Sequence, residues 1–412
     1  MPRIDALDVF VTRPATENLV VVRLRTDDGR VGLGCATLTQ RYAAVVAALE
    51  SHLRPLLLGR DPARITELWR LMHFNGYWRN GPVLNNAISG VDQALWDLKG
   101  KAAGLPVYEL LGGKVREAAA VYHHASGATP DELVDAVKQI VERGVRHVRC
   151  QIAANPHTAP DQLAANVAGY GGLGRVPAGP EGKLPGTYFD PVAYRREAVA
   201  GLAAVRDALG DGIELIHDVH SRLPLADAIG FAKDLEPLRL FFLEDALPPE
   251  QLDGYPRLRA ATTTPLAIGE LFASPSEWLP LVQHRWIDFL RCHISAIGGL
   301  TPAIRAAQVC EAFGVRTAWH GPKDTSPAGH TAQLHLNVAS PAFGIQEFAP
   351  FVEAERDIFG GLPELKAGYL YPNDRPGWGL TFDEHAAVRF PPRNDVIAWT
   401  QARLPDGSLT AP

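Results

Sequence analysis

Three acidic residues stand at equal intervals along the chain, each at the end of a largely apolar run. They are Asp218, Glu244 and Glu270, and 26 residues separate each from the next. One strand, its helix and two loops take roughly 30 residues in an eight-fold barrel, so the spacing places the three acids on consecutive parallel strands at one rim. One such acid alone would more often be a surface residue. Three in register predict a Mg²⁺ site, because Mg²⁺ prefers oxygen ligands.

Length and composition fit an ordinary soluble globular protein of two domains. The 412 residues suffice for a barrel of roughly 250 residues and a second domain of about 150. A net charge of −6 without basic runs gives no support for binding to nucleic acid or to an anionic membrane. The four scattered cysteines indicate neither a disulfide framework nor a thiolate metal site. With no long apolar stretch and no apolar core of a signal peptide near Met1, we expect a cytoplasmic protein.

The first part of the chain is typical of a small α+β domain. Residues 4–37 have strand character, with a turn at Asp27–Gly29. Helical periodicity follows in residues 41–58, 61–73 and 85–103. We therefore expect a capping domain at residues 1–115, which the irregular, proline-rich residues 360–412 rejoin.

Residues 116–359 alternate between strand and helix signals. Helix signals include Thr129–Glu132, which combines an N-cap, a proline at the first helical position and a capping-box Glu. Eight apolar strands begin near Ala119, Val145, Ile213, Leu240, Pro265, Ile287, Arg316 and Phe343. This count predicts the α/β class and a (β/α) barrel. A dinucleotide fold has little support, because no GxGxxG pattern follows the first strand.

One segment, Ala153–Asp190, interrupts this alternation. It is long and rich in Gly and Pro. Connections of this length inside a compact domain are usually functional lids or disordered. Because it follows the second strand at the rim, we favour a lid over the site.

Five motifs make nearly the whole chain similar to the mannonate dehydratase-like group of sugar-acid dehydratases in the enolase superfamily. They are Tyr77–Leu84, Val91–Lys101, His217–His220, His320–Pro327 and Phe343–Glu347. The resemblance implies a (β/α) barrel of the modified TIM type with an α+β cap, a homo-oligomer, and Mg²⁺ as cofactor. The implied activity is that of a carbon–oxygen lyase (hydro-lyase). It would dehydrate an aldonic acid such as D-mannonate or D-gluconate to a 2-keto-3-deoxy sugar acid through an enediolate.

The chemistry explains why these residue types are needed. Deprotonating the carbon next to a carboxylate places a second negative charge on that group, and a divalent cation offsets this charge. A base must reach the α-proton, and an acid must protonate the departing β-hydroxyl. Metal-stabilised enediolate chemistry is a general property of the enolase superfamily.

His220 is the candidate general acid. It lies two residues after Asp218, so the period-two alternation of a strand would put both side chains on one face. The resemblance gives it the acid role, and the alternative is a structural histidine at the rim. His217 would face the other way and serve packing.

The candidate base is a tyrosine assisted by Arg149. The resemblance pairs an arginine at the end of the second strand with a tyrosine of the following loop, and a guanidinium lowers the pKa of a nearby phenol. Tyr170 matches by its local context, although the stretch from Arg149 is longer than is usual in the group. Tyr188 is the competitor, and an ordinary lid tyrosine is the third possibility. Gln151 stands where many relatives carry the second lysine of a Lys-x-Lys base.

The remaining polar positions would bind the substrate. His320 ends the seventh strand, and His293 stands where many relatives have an aspartate partner for it, which favours hydrogen bonding to the substrate over base chemistry. The resemblance assigns sugar or carboxylate contacts to His124, Arg291, His320, Asp324, Glu347 and Thr39. Thr39 replaces a common asparagine, the C-terminal tail lacks a tryptophan, and Pro322 resembles members that prefer gluconate or are poor on mannonate. The reaction type is thus better defined than the sugar.

Three other functions stay open at this level. A racemase or epimerase could use Tyr170 and His220 on opposite faces of the α-carbon. A non-catalytic sensor could keep the metal site and bind a sugar acid without turnover. A zinc hydrolase has less support, since zinc barrels favour histidine ligands over evenly spaced acids.

Overall fold

The computed structural model describes residues 2–152, 187–394 and 400–411. By its internal contacts the chain divides into two compact units. The first unit consists of Met1–Val121, Gly269–Val282 and Leu290–Asn394, and the second unit consists of Tyr122–Ile268, Gln283–Phe289 and Asp395–Pro412. The predicted domain boundaries at residues 115 and 360 stay a prediction.

Strands and α-helices are numbered in chain order among the described residues. The strands are β1 Ile4–Thr12, β2 Leu19–Thr26, β3 Val31–Cys35, β4 Ala119–Gly127, β5 His147–Ile152, β6 Thr187–Tyr188, β7 Glu214–Asp218, β8 Phe242–Glu244, β9 Leu266–Ile268, β10 Phe289–Leu290, β11 Arg316–Thr317, β12 Gln346–Glu347, β13 Phe359–Gly360, β14 Glu364–Lys366, β15 Tyr369–Tyr371, β16 Thr381–Phe382 and β17 Ala402–Arg403. The α-helices are α1 Tyr42–Ala47, α2 Arg54–Leu57, α3 Ile65–Phe74, α4 Pro82–Ala103, α5 Val107–Leu110, α6 Pro130–Glu142, α7 Pro191–Leu209, α8 Leu225–Leu235, α9 Tyr255–Ala261, α10 Pro275–Gln283, α11 Leu300–Phe313, α12 Pro327–Ala339, α13 Glu353–Ile358 and α14 Glu384–Ala387. None of the helices among the described residues is both long and apolar enough to cross a membrane.

An antiparallel sheet and helix α4 form the N-terminal part of the first unit. Strands β1, β2 and β3 pair as a meander, and α4 lies against β3 at very short distance. A Cβ atom at Gly34 would lie 2.0 Å from the carbonyl oxygen of Gly90, and one at Gly32 would lie 2.1 Å from that of Ala94. Only glycine allows this approach of helix to strand.

Asp97 on α4 joins three segments of the first unit. Its buried carboxylate accepts hydrogen bonds from the backbone N–H groups of Leu33 (2.9 Å) and Trp378 (2.8 Å), and from Nζ of Lys101 (2.8 Å). The Trp378 indole in turn donates to the Leu33 carbonyl at 2.9 Å. The segment around Trp378 is thereby bound to β3 and α4.

The eight strands predicted from residue 116 onward are present. Strands β4, β5, β7, β8, β9, β10, β11 and β12 each begin within three residues of the predicted starting positions. In the second unit β4, β5, β7, β8 and β9 pair in parallel in this order. Between β4 and β5, Thr129 caps α6 by accepting the Glu132 N–H, as its sequence predicts. These parallel strands bring the ends that carry the predicted site residues to one edge.

Candidate active site

Two of the three predicted metal ligands lie side by side in the second unit. Strands β7 and β8 pair in register, so that Asp218 is directly opposite Glu244. Both side chains are fully buried. The apolar residues before each acid are buried in the strands, and each strand ends at its acid. Two carboxylates therefore meet at adjacent strand ends, as the spacing predicts.

Arg149 on β5 lies between these acids. Its Nη1 donates to Oδ2 of Asp218 at 3.0 Å and to Oε1 of Glu244 at 3.1 Å. Its Nη2 lies 3.3 Å from Nδ1 of His124, and the Tyr122 hydroxyl is 3.4 Å from Oε2 of Glu244. The structure thus groups four predicted site residues: Arg149, His124, Asp218 and Glu244.

Asp245 is a further acid here that the sequence reasoning missed. One ligand oxygen each from Asp218, Glu244 and Asp245 lies within 4.8 Å of the others, and all three residues are buried. The available signal was two successive acids at the end of a strand. Arg149 pairs with Asp218 and Glu244 of this group. Clustered carboxylate oxygens are hard donors of the kind that a divalent cation such as Mg²⁺ prefers.

The prediction that strand alternation places the side chains of His220 and Asp218 on one face is wrong. Strand β7 ends at Asp218, and both His220 and Ser221 have left-handed backbone conformations, with φ of 57° and 59°. The backbone N–H of His220 donates to Oδ1 of Asp218 at 2.7 Å, which closes a tight turn. Strand alternation therefore does not extend to His220. Its role as general acid stays a prediction.

His217 serves packing, as expected. Its Nδ1 lies 2.8 Å from the Cys150 carbonyl and its Nε2 lies 2.8 Å from the Tyr194 hydroxyl, so both ring nitrogens are engaged. Burial lowers the pKa of His217 to about 4. A neutral imidazole held in this way is not available as a zinc ligand, which weakens the zinc-hydrolase alternative.

A second group of predicted residues lies in the first unit. Arg291 is fully buried and pairs with Oε2 of Glu270 at 2.7 Å and with Oε2 of Glu347 at 2.5 Å. Nε2 of His320 is 3.4 Å from Oε2 of Glu270, and the Gly321 N–H donates to Glu347 at 3.0 Å. Glu270, Arg291, Glu347 and His320 are therefore brought together. Their chain positions explain this, since they follow or end β9, β10, β12 and β11.

His293 and Asp324 adjoin this group. One ligand atom each from His293, His320 and Asp324 lies within 4.8 Å of the others, and Nδ1 of His293 is 2.9 Å from Nδ1 of His320. Burial, and then the charges of Glu347 and Glu270, raise the pKa of Asp324 to about 8. A protonated Asp324 can donate a hydrogen bond as well as accept one. Thr39 is half-buried and opens a short 3₁₀ turn after β3.

Of the two candidate bases, Tyr188 lies among the described residues. Tyr170, like most of the predicted lid, lies outside the described residues. Tyr188 is buried in β6, which pairs in parallel with β17, and its position in that pair is opposite Arg403. The assignment of Tyr170 as the base, with Tyr188 as its competitor, stays a prediction.

Comparison with known proteins gives full-length matches. Residues 4–112 match the model described as the mandelate racemase / muconate lactonizing enzyme N-terminal domain, and residues 132–386 match the one described as enolase C-terminal domain-like. A D-galactonate dehydratase family member of Enterocloster bolteae is 46% identical over 98% of both chains, and the member RspA of Pantoea ananatis is 47% identical over 99% of both. A crystal structure of an enolase from Pantoea ananatis with bound D-gluconate and Mg aligns with a TM-score of 0.95 at 45% identity and covers all of both chains.

Proposed function

Because the chain belongs to the enolase superfamily and, within it, to the D-galactonate dehydratase family, we propose that it is a Mg²⁺-dependent sugar-acid dehydratase. Its substrate is an aldonic acid of the D-gluconate or D-mannonate kind, and its product is the 2-keto-3-deoxy sugar acid formed through an enediolate. Family membership confirms the predicted fold, which is an N-terminal capping domain with a C-terminal (β/α) barrel.

One observation carries the proposal. Asp218 and Glu244 are buried opposite each other at two strand ends, with Arg149 as the cation between them. Burying two carboxylates costs free energy unless positive charge accompanies them. Clusters of buried ionisable groups are typical of functional sites, which supports a cation-binding site here. The D-gluconate and Mg bound in the Pantoea ananatis structure support the same ligand classes for this chain.

We assign Asp218, Glu244 and Glu270 as the metal ligands. Asp218 and Glu244 end β7 and β8, Glu270 follows the end of β9 by two residues, and the even spacing of 26 residues supports this assignment. When bound, Mg²⁺ supplies Lewis-acid stabilisation of the negative charge that develops on the substrate carboxylate. Asp245 adds negative charge beside this set.

The other assigned roles concern proton transfer and substrate binding. Tyr170, with its phenolate stabilised by the Arg149 guanidinium, takes the proton from C2. His220 gives a proton to the hydroxyl on C3, which leaves as water, and the resulting enol becomes the 2-keto product. Substrate hydroxyls and the carboxylate are held by side chains with fixed donors and acceptors: His124, Arg291, His320, Asp324, Glu347 and Thr39.

The test is a panel of aldonic acids incubated with the purified protein and Mg²⁺, with the 2-keto-3-deoxy product measured. We expect product from at least one acid, and loss of at least about a hundredfold in kcat for Glu270→Gln, since the change removes a ligand charge. Glu364→Gln is the matched control, because Glu364 is an exposed acid of β14 paired only with Lys366 among described charges. An active Glu270→Gln variant would refute the assignment.

The same panel separates the alternatives. A sensor would be stabilised against heat by an acid sugar and form no product with any of them. A racemase or epimerase would exchange the α-proton with deuterium from solvent and form no keto acid. Either result would replace the dehydratase proposal.

A further inference from the structure

Three buried side-chain amides connect helix α12 with strand β12 in the first unit. Gln333 and Asn337 are four residues apart on α12 and so lie on one face of the helix, and Gln346 lies on β12. At most 1% of each residue is exposed, and a buried amide costs free energy unless it is hydrogen-bonded. Nδ2 of Asn337 donates to Oε1 of Gln346 at 2.8 Å, and Nε2 of Gln346 donates to Oε1 of Gln333 at 3.2 Å. The three amides therefore form one chain of hydrogen bonds.

Backbone carbonyl groups fix the direction of this chain of hydrogen bonds. Nε2 of Gln333 donates to the carbonyl oxygen of His320 at 2.6 Å, and Nε2 of Gln346 lies 3.4 Å from the carbonyl oxygen of His330. A carbonyl oxygen can only accept, so in both glutamines the NH₂ group and not the amide oxygen must face it. A reversed amide would bring two oxygens into contact. No protonation state enters this assignment, because amides and carbonyl groups do not titrate.

The peptide group between His320 and Gly321 links the amide chain to a proposed substrate contact. Its carbonyl oxygen accepts from Gln333, and its N–H, which belongs to Gly321, donates to Oε2 of Glu347 at 3.0 Å. The peptide group is trans, so its carbonyl and its N–H point in opposite directions and turn only together. The hydrogen bond from Gln333 therefore directs the N–H toward the Glu347 carboxylate.

The carboxylate of Glu347 depends on this orientation. It is fully buried, and the oxygen that accepts from Gly321 also pairs with Arg291 at 2.5 Å. A turned peptide group would bring the His320 carbonyl oxygen toward the carboxylate, where two acceptors repel each other. The space is also narrow, since a Cβ atom at Gly321 would lie 2.8 Å from Oε1 of Gln333 and 2.9 Å from the Glu347 carbonyl oxygen.

We propose that Gln333 is a positioning residue. It holds the carbonyl of the His320–Gly321 peptide group, and thereby keeps the Gly321 N–H on Glu347 and the backbone of His320 in one orientation. The inference rests on the proposed function in assigning His320 and Glu347 to substrate binding. Gln333 acts on the sugar acid through this peptide group.

A feature of the sequence allows a direct test of this peptide group. The chain contains one His-Gly dipeptide, at residues 320–321. Full-length protein labelled with ¹³C in the histidine carbonyl and with ¹⁵N in glycine therefore gives a single signal in a spectrum that correlates each N–H with the preceding carbonyl. The measurement is the rate at which this N–H exchanges with deuterium from solvent, without substrate. In the unchanged protein we expect exchange at least about a hundredfold slower than in an unstructured glycine.

Two variants remove the donor from Gln333. Gln333→Met keeps the length of the side chain, and Gln333→Glu keeps its shape but places an oxygen against the His320 carbonyl. We expect the Gly321 N–H to exchange at least about tenfold faster in both, because the peptide group can then turn. Thr331→Val is the matched control, since Thr331 is buried in the same helix and its hydroxyl donates to the Pro327 carbonyl of that helix at 2.8 Å.

The outcomes of the exchange measurement are distinct. In Thr331→Val the rate should stay within about twofold of the unchanged protein. An unaltered rate in a Gln333 variant, or an equal increase in Thr331→Val, would overturn the proposal. Exchange in the unchanged protein as fast as in an unstructured glycine would also overturn it, and this result does not depend on the folding of any variant. Melting temperatures show whether each variant keeps its fold.

Turnover tests the consequence for the substrate. We expect Gln333→Met to lower kcat/KM for the aldonic acid at least about tenfold, and Thr331→Val to keep it within about twofold. Faster exchange with an unaltered kcat/KM would refute the positioning role. Absence of turnover in the unchanged protein would count against the proposed function, whereas the exchange rates still decide whether Gln333 holds the peptide group. Turnover together with unaltered exchange in the Gln333 variants would remove only this inference.

Discussion

Replacing Arg149 by Met should make the stability of the protein strongly dependent on divalent cations. The guanidinium lies about 3 Å from both Asp218 and Glu244, and its side chain is 7% exposed while both carboxylates are fully buried. Methionine has a similar length and no charge. Without metal, the variant leaves two buried carboxylates, with Asp245 nearby, without their cation.

The size of the effect follows from this burial. Removing one partner of a buried ion pair costs about 3–5 kcal/mol. With an unfolding entropy of about 2.1 cal/mol/K per residue, this corresponds to a drop of about 4–6 °C in Tm for a chain of 412 residues. Saturating Mg²⁺ should reduce the difference in Tm between Arg149→Met and the unchanged protein, because the ion supplies positive charge to the same carboxylates.

The assay is thermal unfolding of both proteins in EDTA and in Mg²⁺. Arg195→Met is the matched control, since Arg195 pairs with the half-exposed Asp227 and Asp234, and such surface pairs contribute at most about 1 kcal/mol. A difference between Arg149→Met and the unchanged protein that Mg²⁺ leaves unaltered would refute the reasoning. So would an equal loss in the control.

Three further predictions concern stability and the base. Asp97→Ala should lower the free energy of unfolding by about 2–4 kcal/mol, because two buried N–H groups lose their acceptor; unchanged denaturant midpoints would contradict this. Burial lowers the pKa of His335 to about 3. As the pH falls below 6.5, this histidine therefore binds a proton in the unfolded chain but not in the folded chain, and the free energy of unfolding decreases. In His335→Gln the free energy of unfolding should fall less steeply between pH 4 and 6.5, by the slope that corresponds to about one proton. An unchanged slope of the denaturant midpoint against pH would contradict this prediction. Tyr170→Phe should reduce kcat by at least about a hundredfold while Tyr188→Phe keeps most of it, and the reverse order would transfer the base role.

The sequence was sufficient to predict the barrel strands and to predict that many polar residues at their ends lie close together. Strand starts were predictable because buried parallel strands are short apolar runs at regular spacing. The contact of Arg149 with Asp218 and Glu244 followed from strands that end at one edge. In these respects local pattern and tertiary structure agree.

Side-chain direction beyond the strand ends was not predictable. His220 was placed by strand alternation, but the Asp218 carboxylate binds the His220 backbone and turns the chain into a left-handed conformation. The bond between His293 and His320 depends on the register of two strands that are far apart in sequence, which no local pattern specifies. Asp245 was missed because an acid beside a ligand looks like ordinary strand-end polarity.

The glycine contacts between β3 and α4 have a consequence for how the specificity of this enzyme can change. Where main chain touches main chain, there are no side chains whose exchange could shift the helix gradually. Natural variation and laboratory libraries would therefore gain little from altering Gly32 or Gly34. We proposed Thr39 as a substrate contact, and it lies in the short 3₁₀ turn after β3. Under that proposal, new substrate preferences are better sought by varying Thr39, because the backbone packing of β3 on α4 stays unchanged.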